Sequence, residues 1–226
     1  MGTAGIGEGA HDQMSRAIAI MGESGSGKTT SCRNLDPKTT YYIDCDKKGL
    51  SWRGWRQQYN PAAKNYTMTD DPHAVATLID NIATKAPHIK TIVVDTINGI
   101  MVGDEMRRAR EKGYDKWLDI ATNIWQIIDR AYTYRDDLTI VFMAHSQTES
   151  DDTGMRWTRI KTSGRKLDKI VLESKLTMVL LAKCEGGKYV FETHSKQSTA
   201  KSPLGMFEDD QIDNDLAKIL EKMEEY

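Results

Sequence analysis

Residues 22–29 constrain the fold of this chain more than any other stretch of its sequence. They read G-E-S-G-S-G-K-T and match the pattern G-x-x-x-x-G-K-[S/T] in full. The three glycines let the backbone turn tightly, so that successive N–H groups point inward at phosphate oxygens. Residues 16–21 predict a short strand that runs into this loop, and residues 29–35 predict a helix that Asp36 and Pro37 end. The alternative, a Gly/Ser turn that matches by accident, does not explain this strand–loop–helix order.

The loop residues have expected roles in nucleotide binding. Lys28 can reach the β- and γ-phosphates, and the Thr29 hydroxyl can ligate Mg²⁺. The following helix, expected to begin at about Lys28, adds the partial positive charge of its N-terminus to the anion site. The sequence therefore predicts an ATP and Mg²⁺ site with the nucleotide ligands Gly22, Glu23, Ser24, Gly25, Ser26, Gly27, Lys28, Thr29 and Thr30.

The remaining chain alternates short apolar runs with amphipathic segments. This order predicts an α/β fold in which helices cover the faces of a mostly parallel sheet. Asp71 and Pro72 have the chemistry of a helix N-cap and first helical residue. The expected elements are strands at 40–44, 91–95 and 138–144, helices at 71–87, 116–134 and 213–224, and a hairpin of residues 176–182 and 189–193.

The run T-I-V-V-D at residues 91–95 predicts the second half of the nucleotide site. Four β-forming residues that end in an acid form the Walker B pattern, which places a carboxylate at the carboxyl edge of a sheet strand. From there Asp95 can hold Mg²⁺ through a water molecule, close to Thr29. A strand can end in Asp by chance, so the inference depends on the phosphate-binding loop upstream.

Polar residues at two other strand ends are candidates for the chemistry of hydrolysis. A carboxylate on a strand beside the loop can orient the attacking water, and we favour Asp46 over Asp44 for that role. The alternative is that one or both acids cap the turn at residues 47–49. His145 follows the strand 138–144 and can hydrogen-bond the γ-phosphate, or it can be a structural histidine; Gln147 is a weaker substitute.

Residues 148–170 are polar, interrupted by glycine and basic, and we expect them to form a flexible loop. Cations that follow a phosphate backbone, together with an aromatic ring on which a base stacks, are typical of single-stranded nucleic acid binding. The alternative is a solvated loop in which Asp151, Asp152 and Asp168 offset the positive charge. The candidate DNA-binding residues are Arg156, Trp157, Arg159, Lys161, Arg165 and Lys166.

Composition excludes several classes of protein. No apolar run approaches the roughly 18 residues needed to span a bilayer, so we expect no membrane partner. The net charge of −2 confines any nucleic-acid surface to a local patch. Three widely spaced cysteines lack a metal-ligand pattern and suggest a reducing compartment, so we expect a cytoplasmic protein. We expect residues 1–14 to be a disordered tail or an added leader and residues 15–226 to form one domain.

The order of these motifs resembles the RecA-type ATPase core. The runs G-E-S-G-S-G-K-T-T, V-V-D-T-I-N-G and S-T-A-K-S-P-L-G-M-F look like those of bacteriophage ATP-binding proteins described as single-strand annealing proteins with a RecA-like core. The resemblance covers about residues 15–226 and implies a Mg²⁺-dependent ATPase with a C-terminal hairpin and helix. It implies that Asp46 activates water, that His145 senses the γ-phosphate, and that the loop at about 148–169 binds single-stranded DNA during annealing or recombination.

The same resemblance implies a homo-oligomer in the bacterial host cytoplasm, with a single-strand DNA-binding protein as a candidate partner. The chain departs from RecA in having His145 at the sensor position, where RecA has glutamine, and Asp46 in place of Glu. It also has no evident counterpart of RecA's N-terminal oligomerisation segment. Two alternatives remain open: a small-molecule or nucleotide kinase with residues 148–169 as its lid, and a nucleotide-gated adaptor with slow ATPase activity.

Overall fold

A computed structural model describes residues 14–113, 115–150, 152–163 and 171–226. Within them the chain forms a nine-stranded sheet with helices on both faces. The strands are β1 (Arg16–Gly22), β2 (Thr40–Asp44), β3 (Tyr66–Met68), β4 (Thr91–Asp95), β5 (Thr139–Ser150), β6 (Arg156–Ile160), β7 (Met178–Glu185), β8 (Lys188–Glu192) and β9 (Gln211–Asp213). The α-helices are α1 (Trp55–Gln58), α2 (Pro72–Lys85), α3 (Ile97–Arg107), α4 (Asp115–Arg130) and α5 (Leu216–Glu225), and 3-10 turns cover Thr29–Asn34, Pro61–Ala63 and Leu172–Lys175.

The strand order places the predicted site residues at one edge of the sheet. The order is β3-β2-β4-β5-β1-β7-β8-β9, with parallel pairing from β3 through β7 and antiparallel pairing from β7 to β9. Strand β5 therefore lies between β1, which leads into the loop, and β4, which ends at Asp95. The register pairs Gly22 with His145 and Asp44 with Asp95, so the carboxyl ends of these strands lie side by side.

Both faces of the central strands are buried, which explains their nearly continuous apolar sequences. On β1, Ala17, Ala19 and Met21 pack into a cluster with residues of α2, α3 and α4. The alternate residues Ile18 and Ile20 pack on the opposite face with residues of the 3-10 turn Thr29–Asn34 and of α5. The predicted fold class is confirmed: a mostly parallel central sheet flanked by helices, with a C-terminal hairpin and helix.

The structure confirms the predicted start of α2 and shifts the bounds of the two later helices. Asp71 accepts a hydrogen bond from the Ala74 N–H at 2.8 Å, and Pro72 is the first residue of α2. Helix α4 ends at Arg130, before the predicted residue 134, because the chain turns there. Helix α5 begins at Leu216 with Asp215 as its cap, since β9 occupies residues 211–213. None of the helices in the described ranges is long and apolar enough to cross a membrane.

The helix expected after the phosphate-binding loop is present, but it is a short 3-10 helix and not an α-helix. Residues Thr29–Asn34 form a six-residue 3-10 turn, and Leu35 is already extended. A 3-10 turn this short aligns few peptide dipoles, so the expected helix charge contributes little to anion binding. If the loop binds phosphate as the sequence predicts, the loop amides and Lys28 would supply most of the attraction.

Two further elements differ from the sequence prediction. Helix α3 follows Asp95 directly, begins with Thr96 as its cap and was not predicted. The segment expected to be a flexible loop is partly a ribbon: residues 146–150 of β5 pair antiparallel with β6. Its base is tied down by the buried Glu173, which accepts the Ile160 N–H at 2.7 Å.

Candidate functional site

The backbone of the loop has the conformation that its glycines permit. Gly25 and Gly27 have φ angles of 80° and 93°, in the region that side-chain-bearing residues rarely adopt. A Cβ on Gly22 would lie 2.5 Å from the Ser26 Oγ and 2.7 Å from the Ala182 carbonyl oxygen. The glycines therefore allow both the tight turn and its close packing against β7.

Lys28 is buried and folds back across the loop. Its Nζ donates to the Gly22 and Glu23 carbonyl oxygens at 2.7 and 2.8 Å. Burial lowers the pKa of Lys28 from 10.5 to about 8, although Asp95 and Asp46 oppose that shift. The loop carbonyls thus hold the ammonium group in place, and no side-chain carboxylate of the described residues competes for its hydrogen bonds.

Thr29 and Asp95 meet as the sequence predicts. The Thr29 Oγ1 donates to the Asp95 Oδ2 at 2.7 Å, and the Tyr42 hydroxyl donates to the same oxygen at 2.5 Å. Asp95 is only 2% exposed, and this burial raises its pKa, while the two hydrogen bonds act in the opposite direction. Its Oδ1 is buried and has no hydrogen-bond partner among the described residues.

These oxygens fit a magnesium site. Mg²⁺ takes oxygen ligands and keeps several of its waters, so one hydroxyl and one carboxylate suit it. The Thr29 hydroxyl and the Asp95 carboxylate are adjacent, and the unpaired buried Oδ1 leaves an acceptor for a metal-bound water. The side chains that the sequence assigned to the metal are therefore brought together at the end of the loop.

Asp44 and Asp46 have different surroundings. The buried Asp44 accepts hydrogen bonds through its Oδ2 from the Gly49 N–H at 2.7 Å and the Tyr66 hydroxyl at 2.8 Å, so it caps the turn. Asp46 accepts through its Oδ1 from the Thr96 hydroxyl at 2.8 Å. Its Oδ2 lies 2.5 Å from the Lys48 Nζ.

The pKa of Asp46 keeps this carboxyl ionised. Burial is the largest single effect and would raise that pKa, but the hydrogen bonds from Lys48 and Thr96 together with the nearby positive charge outweigh it and lower the pKa. Asp46 is also held close to the backbone of α3, since a Cβ on Gly99 would lie 2.6 Å from its Oδ1. A negatively charged, oriented carboxylate therefore lies two residues beyond β2.

His145 faces the same space as Asp46. Both residues line a cavity of about 680 Å³, together with Asn98 and residues of α3. The His145 N–H donates to the Asn98 Oδ1 at 2.7 Å. Burial lowers the pKa of the imidazole below 6.5, and the charge of Lys28 adds to that effect, so the ring is neutral at pH 7.

Comparison with known families agrees with this geometry. The family model described as an AAA domain matches residues 14–204. The chain belongs to this family. Among solved structures, a KaiC-like protein from the hyperthermophilic archaeon Pyrococcus horikoshii OT3 is similar over 78% of this chain and 76% of its own, at 13% identity and a TM-score of 0.45. No curated protein matches the chain.

Membership of the AAA family makes this chain a P-loop NTPase domain, as the loop at residues 22–29 predicted. The AAA domain also has a second cavity, of about 540 Å³, beside Thr30. One wall is the half-exposed Tyr189 ring, which packs so close to the loop that a Cβ on Gly27 would lie 2.8 Å from its Cδ1. Asn214 is adjacent, and its buried Nδ2 has no hydrogen-bond partner among the described residues.

Three of the candidate DNA-binding residues, Arg156, Trp157 and Arg159, lie on β6 of the β5–β6 ribbon, and Lys161 follows directly after it. Trp157 pairs with Glu149 and Arg159 with Gln147 across the two strands, so these four side chains share one face. Trp157 is 40% exposed, whereas the Arg159 side chain is 14% exposed and lies 3.9 Å from Glu149. Arg156 and Lys161 are exposed, and Arg165 and Lys166 lie outside the described residues.

Sequence reasoning missed three side chains that the fold brings to the site. Tyr42 reaches Asp95 from the neighbouring strand β2, and Lys48 reaches Asp46 from the turn after it. Asn98 bridges the His145 N–H and the Lys161 carbonyl oxygen, to which its Nδ2 donates at 2.8 Å. Only Lys48 carried a signal in the sequence, because it is a cation two residues from the favoured catalytic acid.

Proposed function

We propose that this protein is a Mg²⁺-dependent ATPase whose loop at residues 22–30 binds the phosphates of ATP. The observation that carries the proposal is the meeting of the Thr29 hydroxyl with the buried, partly unpaired Asp95 carboxylate at the end of that loop. Thr29 and Asp95 would hold Mg²⁺, Thr29 directly and Asp95 through a water. Bound there, Mg²⁺ would neutralise charge on the phosphate oxygens.

The proposed roles of the other side chains follow from their charge and position. Lys28 turns from the loop carbonyls to the β- and γ-phosphates when ATP binds. Asp46 is ionised and oriented by Thr96, so it can accept a proton from the attacking water. Neutral His145 donates a hydrogen bond to the γ-phosphate from the end of the parallel part of β5, a position from which it can sense that group.

The nucleoside end of ATP would lie in the cavity beside Thr30. Its volume is within the range of small-molecule pockets, and the exposed Tyr189 ring offers a surface for stacking a base. The unpaired Asn214 amide supplies a polar group for base or ribose. This assignment accounts for a second buried polar group that otherwise has no partner among the described residues.

The ATPase proposal is tested by phosphate release measured against Mg²⁺ concentration. We expect turnover to require Mg²⁺, and Asp95→Asn to move the Mg²⁺ midpoint about 10–100-fold higher. Asp71→Asn, which removes an acid that caps α2, should leave the midpoint unchanged. ATP binding with negligible turnover would favour the adaptor alternative, and phosphoryl transfer to an acceptor faster than to water would favour the kinase.

We further propose that the β5–β6 ribbon binds single-stranded DNA. In this proposal the protein is encoded by a phage and acts in annealing or recombination. Support comes from the exposed Trp157 ring and from the exposed cations Arg156 and Lys161 along the same ribbon. The ribbon continues a core strand, which suits a fixed binding platform better than a hinged kinase lid. Assembly into a homo-oligomer and contact with a single-strand DNA-binding protein belong to this proposal.

A further inference from the structure

Two neighbouring lysines after Asp46 point to different partners. The Lys47 Nζ lies 2.8 Å from the Asp70 Oδ1, on the side of α3 where Arg107 also pairs with Asp70. The Lys48 Nζ lies 2.5 Å from the Asp46 Oδ2. Lys48 therefore pairs with the proposed catalytic acid. Lys47 lines the same cavity as Asp46 and His145 but pairs with Asp70 instead.

Lys48 belongs to the electrostatic environment of the whole site. Its charge lowers the pKa of both Lys28 and His145, and the carboxylates of Asp46 and Asp95 favour its own charged form. Burial is the largest single effect and would lower the pKa of Lys48, but the hydrogen bond to Asp46 and the nearby carboxylate charges together outweigh it and raise the pKa. The positive charge of Lys48 therefore acts on Lys28, His145 and Asp95 as well as on its partner Asp46.

The Lys48–Asp46 ion pair also limits what Asp46 can do. One oxygen of the carboxylate accepts from Thr96 and the other from Lys48, so the side chain that would receive a proton from water is engaged at both ends. The Asp46 side chain is only 14% exposed, but the Lys48 side chain is 53% exposed and sits on a flexible four-carbon stem, so its ammonium group can move. Lys48 can therefore leave the Asp46 carboxylate for a more highly charged anion.

We propose that Lys48 is a catalytic cation that pairs with Asp46 before ATP binds and contacts the γ-phosphate during hydrolysis. This inference rests on the proposed ATPase function. A terminal phosphate carries more negative charge than one carboxylate, so it draws the ammonium group away from Asp46. The same movement frees the Asp46 Oδ2 as an acceptor for the attacking water.

The reaction step balances without any other reactant. The water oxygen forms a bond to the γ-phosphorus as the bond between that phosphorus and the β,γ-bridging oxygen breaks, and ADP leaves with the bonding pair. The water gives one proton to Asp46, which returns it to solvent. Lys48 keeps its protons throughout and stabilises the charge on the oxygens of the transferring group.

The test compares Lys48→Met with the matched control Lys47→Met. We expect Lys48→Met to lower kcat by about 100-fold or more, as loss of a donor to a transferring group does, with KM changed only a few-fold. A second readout is the affinity for Mg–ADP with aluminium fluoride, which mimics the transferring phosphoryl group. That affinity should fall by a similar factor in Lys48→Met, while affinity for Mg–ADP alone stays within a few-fold.

Several outcomes would overturn the proposal. If Lys48→Met keeps or raises kcat, Lys48 only restrains Asp46. If Lys47→Met loses as much activity, the effect is one of net charge. Lys48→Arg, which keeps the charge, should retain more activity than Lys48→Met, and equal losses in the two variants would show that the charge is not what matters. A wild-type protein that binds ATP but does not hydrolyse it would remove the ATPase proposal itself, a result visible before any variant is made.

Discussion

At the scale of single residues, a substitution of Lys28 can test nucleotide binding while the fold stays intact. Its hydrogen bonds go to the carbonyl oxygens of its own loop, and it makes no ion pair within the described residues. We therefore expect Lys28→Ala to reduce ATP affinity by about 100-fold or more, since it removes a charge-assisted contact to phosphate. The melting temperature should change by only a few degrees. Titration calorimetry and thermal melts check the two parts, and unchanged ATP affinity would show that the loop is not the nucleotide site.

Asp44 and Asp46 form a natural pair of variants because only one faces the proposed chemistry. Asp46→Asn should leave Mg–ATP affinity within a few-fold and lower kcat by about 100-fold or more, the usual worth of a positioned general base. Asp44→Asn should instead cost roughly 1–3 kcal/mol of stability, because it disturbs a buried acceptor of two hydrogen bonds. Denaturant unfolding and single-turnover hydrolysis measure the two effects. The reverse pattern would move the catalytic role to Asp44.

Local sequence predicted some of these residues and could not predict others. Lys28, Thr29 and Asp95 were predicted because phosphate and Mg²⁺ binding require these residue types at this spacing along the chain. Tyr42 and Asn98 were missed because their partners are distant in sequence: Tyr42 is 53 residues from Asp95, and Asn98 is 47 from His145. Nothing in a strand reading T-Y-Y-I-D tells which tyrosine will face an acid.

At the scale of elements, sequence prediction succeeded where burial dictates composition. Strands β1, β4 and the first half of β5 were found because both of their faces are covered. Helix α3 was missed because Gly99 and Gly103 weaken helix propensity, yet a side chain at Gly99 would collide with Asp46. The β5–β6 ribbon was missed because both of its strands carry polar residues and show no apolar alternation.

The ribbon gives a prediction about nucleic-acid binding. Replacing Arg156 and Lys161 by Ala should reduce the slope of log affinity against log salt by about 1.4, at about 0.7 per phosphate contact on single strands. Trp157→Ala should cost about 1–3 kcal/mol with little change of slope, because stacking releases no counterions. Fluorescence anisotropy with a labelled oligonucleotide measures both quantities.

The matched control for the ribbon removes two exposed cations elsewhere. Lys64 lies after a 3-10 turn, and Lys85 ends α2. Their double Ala variant should keep the wild-type slope. If it loses as much slope as the ribbon variant, binding follows net charge and not the ribbon. No measurable affinity at about 50 mM salt with Mg–ATP present would remove the DNA-binding proposal.

At the scale of the whole molecule, Thr96 and Asn98 join the proposed hydrolysis site to the ribbon. Thr96 caps α3 and donates to Asp46, and Asn98, two residues on, holds both the His145 N–H and the Lys161 carbonyl oxygen. The start of α3 therefore contacts Asp46, the proposed γ-phosphate sensor His145 and the base of the ribbon. A shift of Asp46 or His145 on ATP binding would be passed to the strands that carry Trp157.

This arrangement predicts that Asn98→Ala uncouples the two sites. The change removes two partly buried hydrogen bonds and should cost roughly 1–3 kcal/mol of stability. Mg–ATP affinity should stay within a few-fold, but the factor by which a non-hydrolysable ATP analogue changes DNA affinity should approach one. Because coupling between two sites is reciprocal, the effect of DNA on ATP affinity should vanish in the same variant. Asn123→Ala, which removes an amide that donates to Asp104 at 3.2 Å, is the control. If the ATP analogue still changes DNA affinity in Asn98→Ala, and DNA still changes ATP affinity, then the two sites are coupled by another route through the sheet.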